Sequence, residues 1–279
     1  MFSKLAAAAA LVASANAAAP LTQDAVTTAN QEIASHISRR GLADICFKGC
    51  GDNGSKKGLF GLECECNEGF GGNCCRECSV PDIQTVDIDL EEFIRASWYV
   101  QRQQENGFQG PEDLYCVVAT YSLTGQRVIF NPDEVLDVSN YGNSGGVNVM
   151  PMGGIENGGL CGRTTGEPGK LAVAPCFLPD IFAGPYWIAA VGETDGKYDW
   201  AVIIGGQPKE FAPDGKCTTS LDDINNSGLW FFSRTPVAPA EQLEAMEAVI
   251  EDLGVSGSLL INVPQEGCRY DGALIKENI

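Results

Sequence analysis

The chain has 279 residues, 44% of them apolar and 20% charged, which is enough apolar material for one sizeable core and excludes disorder as a description of the whole. With 37 acidic against 18 basic residues the formal charge is −19. A surface that acidic repels phosphate backbones and anionic lipid, so nucleic acid is excluded as an expected partner.

The first residues read Met-Phe-Ser-Lys, then an apolar run from Leu5 to Ala13, then Ala15-Asn16-Ala17. One positive charge, a short apolar stretch and an Ala-x-Ala site predict a secretory signal peptide over 1–17. The run is too short to span hydrocarbon, and no later segment reaches that length, so no transmembrane segment is expected. The mature protein is therefore expected outside the cell, with its cysteines oxidised.

Residues 18–45 read as a linker or pro-segment. They carry Arg39-Arg40, a dibasic pair that fits either a processing site or the end of a linker helix. The single histidine, His36, falls here, outside any expected core. A Ser-His-Asp triad, a Cys-His dyad or a multi-histidine metal site would have to be built around it, and neither a metal nor a cofactor is expected.

Residues 46–78 hold Cys46, Cys50, Cys64, Cys66, Cys74, Cys75 and Cys78. So short and Gly-rich a segment cannot fold on apolar burial, and disulfides are expected to hold it as a small module. Cys64-Glu-Cys66-Asn-Glu-Gly69-Phe70, followed by Cys75, resembles the C-terminal half of an EGF-like module, and the segment is a candidate surface for a protein partner.

From about Val80 the texture changes to strand-like runs at 98–104, 115–123, 135–141, 159–165, 170–177, 186–192, 199–205 and 228–234, with Gly, Pro, Asn and Asp between them. One helix follows, from about Pro239 to Leu253, with Leu243, Met246, Val249, Ile250 and Leu253 on one stripe and Gly254 as its stop. Strands in series and then a helix, without alternating βα units, predict an all-β antiparallel sandwich or barrel over 79–279. In an up-and-down barrel the long connections 105–114, 142–158, 178–185 and 206–227 collect at one end. The short connections 166–169 and 193–198 fall at the other. The result is a barrel with one loop-framed mouth, of a size to hold one small ligand. The start of the first strand and the end of the last meet at the tight end, where Trp98 and Arg234 can stack as a cation–π pair and seal the floor.

The residues from 78 onward resemble the lipocalins, in particular those of the apolipoprotein D type. Ser97-Trp98-Tyr99 stands where that family has Gly-x-Trp-Tyr before its first strand, with Ala96 in place of Gly. Thr194-Asp195 with Tyr198 resembles the Thr-Asp-Tyr motif of the F–G turn. Leu229-Trp230-Phe231-Phe232-Ser233-Arg234-Thr235-Pro236 resembles the last-strand motif with its arginine. Cys116-Val-Val-Ala-Thr-Tyr121-Ser-Leu, Glu167-Pro-Gly-Lys-Leu171-Ala-Val173 and Pro185-Tyr186-Trp187-Ile188 resemble apolipoprotein D specifically.

The resemblance implies an eight-stranded up-and-down barrel with one C-terminal helix. It also implies the pairs Cys116–Cys268 and Cys78–Cys217, which leaves Cys161 and Cys176 for each other and the remaining six cysteines for the small module. This pairing is one among those that the sequence allows.

Strand periodicity then assigns faces. With Arg234 inward at the floor, Phe232 and Trp230 also face in, and Trp98, Val100 and Arg102 share one face. The resemblance adds Ala119, Tyr121, Tyr186, Ile188, Ala201 and Ile203. Trp98 and Arg234 read as structural. Arg102, Ala119, Tyr121, Tyr186, Ile188, Ile203, Trp230 and Phe232 read as ligand-lining, with Arg102 as partner for a carboxylate or hydroxyl head, or else these side chains simply fill the barrel.

The Gly-rich stretch 142–159 lacks a Lys-Ser/Thr ending and a following helix, so it reads as a mouth loop rather than a phosphate cradle. Asp222-Asp223 and Asp87-Ile-Asp89 lack the spaced oxygen ligands of a calcium loop and read as solvated acids.

Two functions follow for the barrel, beside a third reading in which the chain is an adhesion or matrix protein acting through the cysteine module with the barrel as scaffold. One is a secreted carrier of a small lipophile of the fatty acid, sterol, retinoid or carotenoid class, which needs no catalysis. The alternative is an enzyme, because a Cys-rich module ahead of a lipocalin barrel resembles the arrangement of violaxanthin de-epoxidase. A pair of inward carboxylates would mark the second, and the inward residues include none.

Overall fold

The computed structural model of the chain describes residues 54–57, 63–66, 70–71, 75–107, 109–127, 134–144, 147–148, 152–153, 159–221, 223 and 226–279. The expected signal peptide 1–17, segment 18–45 with His36 and Arg39-Arg40, Cys46, Cys50, Cys74, Asp222 and most of the 145–158 loop lie outside the described residues. The chain divides into two compact units, Met1–Glu77 and Cys78–Ile279.

In the first unit, β1 (Gly54–Lys57) pairs antiparallel with β2 (Glu63–Cys66), and β3 (Phe70–Gly71) with β4 (Arg76–Glu77). Strands this short bury too little to hold themselves, and covalent ties take over: Cys66 is bridged to Cys75, and Cys64 is also disulfide-bonded. The bridge lies so close over β1 that a Cβ on Gly54 would stand 2.4 Å from the Cys75 sulfur.

The second unit opens with α1 (Leu90–Ile94), a single turn capped by the Asp89 carboxylate, which accepts from the Glu91 and Glu92 amides. The strands that follow are β5 (Trp98–Gln104), β6 (Tyr115–Arg127), β7 (Glu134–Ser144), β8 (Val147–Asn148), β9 (Met152–Gly153), β10 (Leu160–Thr164), β11 (Lys170–Pro175), β12 (Gly184–Thr194), β13 (Lys197–Ile204), β14 (Glu210–Phe211), β15 (Cys217–Thr218) and β16 (Leu229–Ser233). Helix α2 (Ala240–Asp252) and β17 (Leu260–Asn262) complete it.

Eight of these strands close on themselves in chain order: β5, β6, β7, β10, β11, β12, β13, β16 and back to β5, every pair antiparallel. This is an eight-stranded antiparallel up-and-down barrel with a C-terminal helix, as the resemblance implies. The β12–β13 turn is Asp195-Gly196 with φ of 52° and 77°, two left-handed residues whose twist matches the flanking strands.

Alternation along the strands divides the apolar residues into two cores. Trp98, Val100, Ala119, Tyr121, Ile188, Ala201, Ile203 and Phe232 point into the barrel. Their neighbours Val202, Ile204, Leu229 and Phe231 point out, where Met246 and Ile250 of α2 cover them. The helix ends where Gly254 takes φ of 70° and the Val255 amide donates back to the Ile250 carbonyl. Outside the barrel, disulfides join Cys78 to Cys217, Cys116 to Cys268 and Cys161 to Cys176.

Candidate functional site: the barrel interior

The floor is built on α1. A five-residue helix leaves its last carbonyls without helical partners. The Trp98 indole N–H donates to the Phe93 carbonyl at 3.0 Å, and Arg234 donates to the carbonyls of Glu92 and Phe93, both at 2.9 Å. The same guanidinium reaches the carbonyls of Tyr198, Ala96 and Ser97, so all three of its nitrogens are engaged. Its central carbon sits 3.4 Å from the centre of the Trp98 ring. Burial, with Arg95 adding to it, lowers the Arg234 pKa to about 9, which still leaves it charged at neutral pH. Tyr198 completes the seal: its hydroxyl accepts from the Asp89 amide and its own amide donates to the Glu92 carboxylate.

Above the floor runs a connected series of rings. Phe93 touches Trp98 and Tyr121 (centroids 5.2 and 5.8 Å apart), Trp98 touches Phe232, Tyr121 touches Tyr186, and Tyr186 touches Trp230 at 6.2 Å. The Tyr121 and Tyr186 hydroxyls bond each other at 2.8 Å in full burial. Burial pushes both phenols well above the ordinary tyrosine pKa. Trp230 is half-buried, and its ring folds back over Gly228, where a Cβ would lie 1.9 Å from it. Gly228, at φ of 105°, is thus required for that ring position.

The structure brings Ala119, Tyr121, Tyr186, Ile188, Ile203 and Phe232 together in the interior cluster, with Trp230 packed against it. Arg102 is not among them, and the expectation for it is corrected. Phe232 pairs with Val100 but Phe231 pairs with Arg102, so Gln101 is an extra residue in β5. A bulge of this kind reverses every face beyond it. Arg102 consequently turns outward, where it forms an ion pair with Glu247 of α2 and lies over the Phe231 ring.

The position that faces inward in its place is Gln103, opposite Trp230. Gln103 is 1% exposed. It donates through Nε2 to Gln109 Oε1 at 2.9 Å, while its own Oε1 has no hydrogen-bond partner among the described residues.

Periodicity also does not reveal the wall between β5 and β6. These strands pair only at Trp98–Ala119 and Tyr99–Val118. Cys116, at φ of 54°, is where β6 leaves the ladder. The C-terminal tail fills the gap. β17 pairs with β5, Val263 N donates to Gln101 O, and the Gln265 side-chain amide spans both strands through the Val100 and Val117 carbonyls at 2.7 and 2.8 Å. Ile261 and Val263 thereby join the interior cluster, and the Cys116–Cys268 bridge holds the tail in place. A three-residue strand carries too little periodicity to be read in advance.

No group of His, Cys, Asp and Glu side chains among the described residues is arranged to hold a metal. No described helix is long and apolar enough to cross a membrane.

No family model and no curated protein matches the chain. Among solved structures, lobster apocrustacyanin A1 is similar at 18% identity, over 70% of this chain and 96% of that one, with a TM-score of 0.44. Apocrustacyanin C2 is similar at 19% identity, over 66% and 84%, with a TM-score of 0.43. Insecticyanin from the tobacco hornworm Manduca sexta is similar at 19% identity, over 67% and 86%, with a TM-score of 0.43. Likeness at this level carries nothing about function.

Proposed function

We propose that the chain is a secreted lipocalin of the apolipoprotein D type that binds and carries a small hydrophobic ligand in its barrel. The observation that supports this most is the asymmetry of the interior. One end is sealed by Trp98 and Arg234, while toward the other end Trp230 is only half-buried above aliphatic and aromatic side chains. A ligand held among these side chains would be favoured as a lipophile through apolar burial, at roughly 25 cal/mol per Å² less the cost of ordering. Ala119, Tyr121, Tyr186, Ile188, Ile203, Trp230 and Phe232 are the residues we propose to line the site; all but Trp230 are buried in the interior cluster, so a ligand makes room by displacing side chains. Exposed Phe177, Ile181 and Phe182 in the β11–β12 connection add an apolar rim. The predicted leader and the four disulfides given above suit an oxidising compartment.

The test is a tryptophan-fluorescence titration of the oxidised protein with fatty acids, sterols, retinoids and carotenoids. Saturable quenching by one class, lost in Trp230→Ala, is expected. No response to any class would overturn the carrier reading and turn attention to the cysteine module as a protein-binding unit. Conversion of an epoxidised carotenoid by the wild-type protein would instead support the enzyme reading.

A further inference from the structure

We infer that the barrel selects a lipophile bearing a hydroxyl group, and that Gln103 Oε1 is the atom that receives it; this rests on the carrier reading above. β5 runs from Trp98 at the floor toward Gln104 at the other end, so Gln103 lies in the upper half of the barrel, cross-strand from Trp230 and Ile261. A side-chain amide that is 1% exposed and whose carbonyl oxygen has no partner among the described residues is costly, because it has lost water without replacing it.

The amide cannot simply be turned round to relieve this. Gln109 Nε2 donates to the Asp113 backbone carbonyl at 3.2 Å, and that carbonyl can only accept. Gln109 therefore presents its Oε1 to Gln103, and Gln103 must answer with Nε2 at 2.9 Å. The relay leaves Oε1 as a fixed, buried acceptor without a partner among the described residues. A neutral alcohol satisfies it, a hydrocarbon leaves it empty-handed, and a carboxylate anion meets oxygen with oxygen. Neither Arg102 nor Arg234 offsets that last repulsion, since Arg102 is outside and the Arg234 nitrogens are all engaged with backbone carbonyls.

Competition titrations with cetyl alcohol, hexadecane and palmitate, and with cholesterol against its hydrocarbon parent, test this in the full-length protein. The wild type is expected to prefer each alcohol over its hydrocarbon by about tenfold, the worth of one buried hydrogen bond. Gln103→Leu should erase that preference by weakening the alcohol alone. Gln109→Leu, which leaves the Gln103 pocket intact but frees its amide to rotate, should shrink the preference and improve the affinity for a ketone of the same skeleton. This second variant decides the matter if Gln103→Leu does not fold. Equal binding of alcohol and hydrocarbon by the wild type would mean that a resident water already meets the oxygen, and would overturn the inference while leaving the carrier reading standing. So would a Gln103→Leu protein that loses both ligands together. Failure of every probe to bind the wild type would overturn both.

Discussion

The two ends of the barrel interior treat buried polar groups in opposite ways. At the floor, Arg234 meets five backbone carbonyls and an indole face, and Trp98 meets the Phe93 carbonyl. In the upper half, the buried oxygen of Gln103 meets nothing among the described residues, and Trp230 is half-buried. Fully satisfied networks rigidify, whereas an unsatisfied group in an apolar wall stores a cost that a ligand can relieve. On the carrier reading proposed above, the contrast gives stability to the floor and recognition to the mouth, and each part of that proposal can be broken separately.

The largest effect is expected from Arg234→Met. It strands carbonyls of Glu92, Phe93, Ala96, Ser97 and Tyr198 in a dry site, and should cost about 3–5 kcal/mol in urea unfolding. Arg234→Lys should not restore this, because an ammonium cannot reach the same fan of acceptors.

Next comes the tryptophan pair. Trp98→Ala, at a fully buried site, should destabilise by about 3–5 kcal/mol. Trp230→Ala should cost clearly less in the same measurement while abolishing ligand quenching. Equal losses of stability in the two would erase the distinction between floor and mouth.

Alkaline titration probes the layer between. Tyr121 and Tyr186 are raised by burial above the unfolded tyrosine value, so the folded state keeps protons that the unfolded chain gives up. Stability is therefore full below about pH 10 and falls above it, by about 1.4 kcal/mol per pH unit for each such tyrosine. Phenolate absorbance of these two rings should appear only with unfolding, and Tyr121→Phe should flatten the fall.

The smallest effect is expected from Arg102→Gln, since the ion pair to Glu247 is partly exposed: under about 1 kcal/mol of stability, and no change in affinity for any lipophile. A loss of affinity for fatty acid anions in that variant would return Arg102 to the interior.

That last prediction marks where the sequence stops. Period-two counting from Arg234 places Phe232 and Trp230, and counting from Trp98 places Val100, because those spans contain no irregularity. The same counting fails at the very next residue, where Gln101 is inserted. A bulge has no composition of its own in this strand, and its effect is set by the register of the neighbouring strand. Helix α1 is likewise silent in the sequence, since a five-residue turn gains its stability from Trp98, Tyr198 and Arg234 and little from propensity.

The sequence by itself determined the barrel, its helix, and the meeting of Trp98 with Arg234, because strand alternation and turn residues are local signals repeated many times along the chain. Only the tertiary structure decided that Arg102 faces α2 and Gln103 faces the cup, and that the tail from Leu260 to Gln265 fills the wall between β5 and β6. Those outcomes depend on pairings between residues more than a hundred positions apart, and a one-residue shift in such a pairing exchanges the inside of a strand for its outside.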